Sequence, residues 1–321
     1  AIAGDGDSSL ASDINSVLEG LSKKELIEIA NRKNIRIPTS WSKSLMVELL
    51  ALNVTIDSIR KIETKPLEPE IKSEGISTIV IKDLVKKFED VTAVDNLSLE
   101  IAEGELFSLL GPNGAGKTTT INILNGIMKP TKGIATIAGF DVTKDLDAIK
   151  RIIGLCPQEA AVFKFLNARE NVELFGNLHS VSKKELEERM ETLLELLGLA
   201  EASRRKAGSY SGGMLRKLNL MVALISDPKI AFLDEPTVGM DARARRRTWE
   251  FIRSLKGEKK TIVLTTHYIE EAEALSDRVG IIDYGKLVEL GTPKELMERH
   301  QVKNLEEVFL KITGRRIAEG M

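Results

Sequence analysis

Gly111-Pro112-Asn113-Gly114-Ala115-Gly116-Lys117-Thr118-Thr119 is the stretch from which the rest of the chain can be read. It fits the spacing G-x-x-x-x-G-K-[ST], carried by Gly111, Gly116, Lys117 and Thr118. Upstream, residues 105–110 are a short apolar run of the kind that forms a buried strand; downstream, residues 118–127 read as a helix. Strand, glycine-rich turn and helix make a phosphate cradle. Glycines let the backbone close around phosphate oxygens, and the loop amides and helix N-terminus present positive dipole to the anion. Lys117 would place a cation at the β- and γ-phosphates, and the Thr118 hydroxyl could ligate Mg²⁺. The ligand implied is a nucleoside triphosphate.

Two further segments narrow the chemistry. Asp227-Pro-Lys-Ile-Ala-Phe-Leu-Asp234-Glu235-Pro236 is an apolar run that ends in two carboxylates. Residues 230–233 read as a buried parallel strand, whose C-terminal end is where an open α/β sheet presents ligand-binding groups. There Asp234 could hold Mg²⁺ and Glu235 could take a proton from water. Ser209-Tyr-Ser-Gly-Gly-Met214 opens an apolar helix over 215–225 and forms a second candidate anion nest. One phosphate site does not need two nests, so the second is expected to serve a nucleotide held by a partner subunit. Taken singly, an Asp-Glu-Pro turn is ordinarily a solvated turn, and Ser-Gly-Gly an ordinary helix cap.

The ordered set resembles the ATP-binding subunit of ABC transporters over residues 76–297. The resemblance implies an α/β P-loop NTPase fold, the ABC ATPase domain with its helical subdomain, that binds ATP and Mg²⁺. On this resemblance Phe88 stacks on adenine, and residues Gly111 to Thr119 form the phosphate loop. Gln158 is the glutamine that senses Mg²⁺ and water. Ser211, Gly212 and Gly213 are the signature motif, Asp234 the Mg²⁺ carboxylate and Glu235 the general base. Asp241, in Gly239-Met240-Asp241, belongs to the loop that crosses the dimer interface, and His267 is the switch histidine. Glu235, His267, Gln158 and Lys117 would carry catalysis, and Thr118, Gln158 and Asp234 the metal. Alone, Phe88 reads as a core aromatic, Gln158 as a surface residue and His267 as a satisfied histidine at a strand end. The order in which all of them occur separates the two readings. Tyr210, Met214 and Ala242 depart from the commonest family residues without removing a reactive group. The Met variant of the signature resembles subunits that serve drug, lipid and polysaccharide exporters.

Composition bounds the rest. The 321 residues suit one large domain and a smaller one. A formal net charge of −2 gives no electrostatic case for nucleic acid, and no apolar stretch approaches the roughly 18 residues of a membrane span. The resemblance then implies as partners a second ATPase subunit, as a homodimer or a heterodimer, and, since this chain shows no span, a separate multi-span membrane protein. The expected location is cytoplasmic, peripheral on the inner face of the membrane. Cys156 is the only cysteine, so no internal disulfide is possible, and a small buried thiol is the expected role.

Three regions are expected. Residues 1–74 make a small all-α module of helix, extended loop and helix with a proline-containing linker. A capping box at Ser22 and Glu25 opens its first helix, and residues 42–52 form the second. Its pattern resembles small SAP-like modules, some of which bind nucleic acid. That raises an alternative, a soluble ABC ATPase acting on nucleic acid, ranked below a protein-docking or inert module. Residues 75–297 make the ATPase domain, with strands over 76–82, 97–101, 261–266, 279–283 and 285–291. Its helical subdomain spans about 159–215, where a capping box at Ser182 and Glu185 opens a helix with Leu186, Met190, Leu193, Leu194 and Leu197 on one face. Residues 298–321 form a tail whose segment 305–312 reads as an amphipathic helix.

Overall fold

Two periodicities of burial set up the architecture. The computed structural model describes residues 77–257 and 260–315, all within the unit Glu68–Met321; the N-terminal module expected over 1–74 lies outside the described residues. The elements run β1 (Ser77–Phe88), β2 (Val91–Ala102), β3 (Leu106–Leu110), α1 (Lys117–Leu124), β4 (Lys132–Ile137), β5 (Phe140–Asp141), α2 (Leu146–Lys150) and β6 (Ile153–Cys156). Three helices follow: α3 (Ala168–Leu178), α4 (Lys183–Leu196) and α5 (Gly212–Leu224). The chain then returns through β7 (Ile230–Asp234), α6 (Ala242–Gly257), β8 (Thr261–Thr266), α7 (Ile269–Leu275), β9 (Arg278–Asp283), β10 (Lys286–Gly291), α8 (Pro293–His300) and α9 (Leu305–Thr313).

Strands β3, β7 and β8 are buried at every residue. Continuous burial, rather than alternation, is what a parallel strand covered on both faces requires. These strands form the middle of a six-stranded sheet, ordered β10-β9-β3-β8-β7-β6. It is parallel from β9 to β6, with β10 antiparallel on its edge. In contrast, β2 alternates over its second half: Leu97, Leu99 and Ile101 are buried while Ser98 and Glu100 are exposed. It belongs to a separate antiparallel sheet, β2-β1-β4-β5, with one face inward.

Alternate side chains of the parallel strands feed two cores, as a period of two dictates. Ala231 and Leu233 of β7 pack with Leu186, Met190, Leu193, Leu194 and Leu197 of the helical segment and with Leu218, Leu220 and Leu224 of α5. Ile230 and Phe232 pack on the other side with the antiparallel sheet and with Ile121, Ile123 and Leu124 of α1. A third core joins Ala272 of α7 and Leu296 of α8 to Leu305, Val308 and Phe309 of α9, so the amphipathic tail helix is present and docked.

Local chemistry sets the helix ends. Ser182 accepts a hydrogen bond from the Glu185 backbone, and the Glu185 carboxylate answers to the Ser182 backbone, the box expected from the sequence. The helix expected over 118–127 stops at Leu124, because Gly126 turns left-handed at φ +69°. The helix expected from residue 215 starts earlier, at Gly212, because Ser211 caps it by accepting from the Met214 amide at 3.3 Å. No helix among the described residues is long and apolar enough to cross a membrane.

Parallel strands all end at one edge of the sheet. The C-terminal ends of β3, β6, β7 and β8 therefore bring together the phosphate loop, Gln158, Asp234–Glu235 and His267.

Candidate active site

The phosphate loop is held from three sides. The Gly111 amide donates to the Thr266 carbonyl at 3.2 Å, and the Gly285 amide donates to the Ala115 carbonyl at 2.9 Å. Gly116 lies at φ +103°, and a Cβ there would sit 2.3 Å from the Ala93 carbonyl oxygen. Only glycine both adopts that backbone and permits that approach. Inside this frame the Lys117 amine, 4% exposed, donates to the carbonyls of Gly111 at 2.8 Å and Pro112 at 3.0 Å. It also lies 3.3 Å from Glu235 Oε1. Burial pushes the lysine pKa down, against the pull of Glu235 and Asp234.

Glu235 stands at the end of β7 in a left-handed backbone conformation, φ +49°. A carbonyl and a hydroxyl hold it there: its amide donates to Thr265 O and to Thr265 Oγ1, each at 3.1 Å. The carboxylate is 4% exposed. Its Oε2 lies 3.1 Å from His267 Nδ1, a nitrogen with no well-formed hydrogen bond. Burial opposes ionisation of Glu235, yet His267 and Lys117 outweigh it and hold the carboxyl below the usual range. A buried carboxylate kept ionised beside a phosphate cradle is suited to accept a proton from water.

Asp234, directly before it, has the opposite shift. Burial pushes its carboxyl up, while hydrogen bonds from the Thr265 and Thr118 hydroxyls pull it back. The Thr265 hydroxyl donates to Asp234 Oδ1. A carboxylate and a threonine hydroxyl are hard oxygen donors that suit Mg²⁺. Among the described residues no group of three or more acidic, histidine or cysteine side chains forms a metal cage.

The other expected residues are placed as follows. Gln158 is exposed, two residues beyond Cys156, the last residue of β6, which pairs with Leu233 on β7. Ser211 and Gly212 are exposed at the start of α5, and nothing lies within 4 Å of a Cβ built on Gly212. Asp241 is exposed and accepts from the Ala244 amide at 2.8 Å, capping α6. Phe88 ends β1 with its ring 42% exposed, Lys86 Nζ 4.9 Å from its centroid. The Tyr210 variant is accommodated: its hydroxyl donates to the Ala202 carbonyl at 2.7 Å.

The ABC transporter family model matches residues 94–238. The daunorubicin resistance ATP-binding protein DrrA3 of Streptomyces coeruleorubidus is 41% identical over 220 residues, which is 68% of this chain and 70% of that protein. The chain belongs to the ABC transporter ATP-binding family. The doxorubicin resistance ATP-binding protein DrrA of Mycobacterium tuberculosis H37Rv is 43% identical over 209 residues, 65% of this chain and 63% of that one. Among solved structures, an ATP-binding subunit of an ABC transporter superposes with a TM-score of 0.69 at 26% identity, covering 74% of this chain and all of that one. A dimeric ATP-binding cassette in a post-hydrolysis state, bound to ADP and Pi, superposes at 0.61 with 28% identity, covering 67% of this chain and 98% of that one. The family reading from the sequence stands, and with it the P-loop ATPase fold and ATP as the nucleotide. As an ABC ATPase the chain hydrolyses ATP in the service of transport.

Thr265 is the site residue that sequence reading passed over. One hydroxyl bridges the carboxylate of Asp234 and the backbone of Glu235. The available signal was Thr265-Thr266, a polar pair at the end of an otherwise apolar strand. Thr265→Val keeps the shape and leaves the buried Asp234 carboxylate without one of its two hydroxyl donors. It should lower unfolding stability by about 1–3 kcal/mol, read by urea denaturation, and slow ATP turnover. Stability equal to the parent would show that the bridge contributes nothing.

Proposed function

We propose that two copies of this ABC ATPase close head to tail over two ATP molecules, and that closure and reopening drive a separate multi-span membrane subunit on the cytoplasmic side. Pairing with a related subunit as a heterodimer is the variant of the same scheme. The carrying observation is the contact of Lys117, Glu235 and His267, residues from three separate segments, at one buried point. The exposed Ser211, Gly212 and Asp241 support the dimer, since these motif residues are left open to a second chain.

In this reading the water oxygen attacks the γ-phosphorus, its proton passes to Glu235, and ADP leaves. Lys117 holds the β- and γ-phosphates. In an ATP complex its amine turns from the loop carbonyls and Glu235 toward phosphate oxygens, which frees Glu235 to meet the water. His267, whose Nδ1 lacks a hydrogen bond, contacts the γ-phosphate, and Gln158 responds to it. Thr118, Asp234 and Gln158 would hold Mg²⁺, which neutralises phosphate charge when bound. Phe88 stacks on adenine, residues Gly111 to Thr119 wrap the phosphates, and Ser211, Gly212, Gly213 and Asp241 meet the partner's nucleotide. The DrrA relatives are named for resistance to daunorubicin and doxorubicin, so export of such drugs is the first transport activity to test. Light scattering of the Glu235→Gln protein tests the assembly: mass should double on adding ATP, and a monomer at saturating ATP overturns the dimer scheme.

Residues 1–74 are proposed as a separable module, protein-docking or inert, 75–297 as the ATPase domain and 298–321 as the tail. No residue given an ATP role lies before Phe88, so deleting 1–74 should leave a folded protein with basal ATPase activity, read by circular dichroism and phosphate release. Salt-sensitive binding of oligonucleotides by that segment would promote the nucleic-acid alternative, and loss of folding would show that it packs into the ATPase.

A further inference from the structure

Glu271 is fully buried and takes no part in the chemistry assigned above. Its Oε1 accepts hydrogen bonds from Thr237 Oγ1 at 2.7 Å and from Trp249 Nε1 at 2.8 Å, and the Thr266 side chain lies beside it. Thr237 is two residues past Glu235. Thr266 immediately precedes His267, and Glu271 follows it by one helical turn. From its place on α7, one carboxylate thus ties together the segment after β7, the end of β8 and helix α6. Burial pushes this carboxyl up from its ordinary range. Burying such a group is costly, although an apolar side chain in its place would leave the Thr237 and Trp249 donors unpaired. Apolar groups at all these positions would need no carboxylate, so the choice of a glutamate asks for a further reason.

Geometry supplies one. Glu235 holds a left-handed backbone at φ +49°, a strained state that persists only where its surroundings over-determine it. Thr265 fixes it from the strand side. On the loop side the Val238 amide donates to Glu235 O at 3.3 Å and the Met240 amide to Thr237 O at 3.1 Å, and Glu271 anchors Thr237 itself. We propose that Glu271 is a positioning residue that sets the Glu235 and His267 carboxylate–imidazole pair in place by accepting hydrogen bonds from Thr237 and Trp249. This rests on the reading of Glu235 as base. The phosphate loop has supports of its own in Gly285 and in the loop carbonyls that Lys117 reaches, and it meets the Glu271 network only through the Gly111 amide on the Thr266 carbonyl, so a loss at Glu271 should fall on turnover far more than on nucleotide binding.

The test uses the full chain with Glu271→Met, Glu271→Gln and, as a reference, Glu235→Gln. Glu271→Met removes the acceptor and keeps the volume. Its kcat should fall about 10- to 100-fold, the scale of a small misplacement of catalytic groups, with the Kd for Mg-ADP by calorimetry within about three-fold of the parent. Glu271→Gln retains the acceptor oxygen and should keep kcat within about five-fold. If Glu271→Met does not fold, Thr237→Val removes one of the two donors and should show the same split between kcat and Kd. Parental kcat in folded Glu271→Met, or in Thr237→Val, overturns the proposal, as does Glu271→Gln being as slow as Glu271→Met. Those results alongside an inactive Glu235→Gln sink the positioning role alone. Parental turnover in Glu235→Gln sinks the base assignment and the positioning role with it.

Discussion

Glu235→Gln is expected to bind ATP close to parental affinity while hydrolysing it about 10²- to 10⁴-fold more slowly, the contribution typical of a positioned general base. The amide has the carboxylate's shape and can still lie beside Lys117 and His267, but it cannot take a proton. Single-turnover hydrolysis with labelled ATP reads the chemical step directly, and a parental rate would remove Glu235 from the mechanism. A second effect follows from its charge. Glu235 is held below the usual carboxylate range, so its ionised form contributes stability above the unfolded pKa, and the contribution is lost as pH falls through the lowered folded value. The Gln variant lacks that titration, so its acid denaturation should lack this component.

Lys117→Ala carries the other large effect. Charge-assisted hydrogen bonds to a phosphate are worth about 1.5–3 kcal/mol, so nucleotide affinity should fall about 10- to 150-fold. The unliganded protein is also affected. Lys117 is the buried cation 3.3 Å from Glu235, and removing one partner of a buried pair leaves an uncompensated charge that costs roughly 3–5 kcal/mol. Calorimetric titration with Mg-ADP, after a circular dichroism check of folding, measures the first effect, and denaturant unfolding the second. Unchanged affinity in a folded variant would refute the role of Lys117.

Much of this site was legible because its chemistry is local. The phosphate loop, its flanking strand and the helix after it lie within one short run, and each part needs particular residue types: glycine for the left-handed backbone at Gly116, a lysine, a hydroxyl. The capping box at Ser182 is local in the same way. The limits of that legibility are also physical. Strand β6 (Ile153–Cys156) has only four residues, one a glycine, too short for a period to show. Helix α6 went unread because its arginine-rich start hides the apolar stripe of Thr248, Phe251, Ile252 and Leu255.

By itself the sequence determined the principal elements, the capping box at Ser182 and the order of motifs, and so the family and the reaction class. These follow from backbone preferences and residue chemistry that act over a few positions. Only the tertiary structure decided which groups touch. Thr265 reaches Asp234 across 31 residues, Asn219 reaches Cys156 across 63, and Lys117, Glu235 and His267 meet from three strand ends. Those contacts depend on the register of a parallel sheet, in which Asp234 lies against Thr265 and Leu110 against Thr266. Parallel register is set by long crossover connections and by packing on both faces, and no local periodicity encodes it.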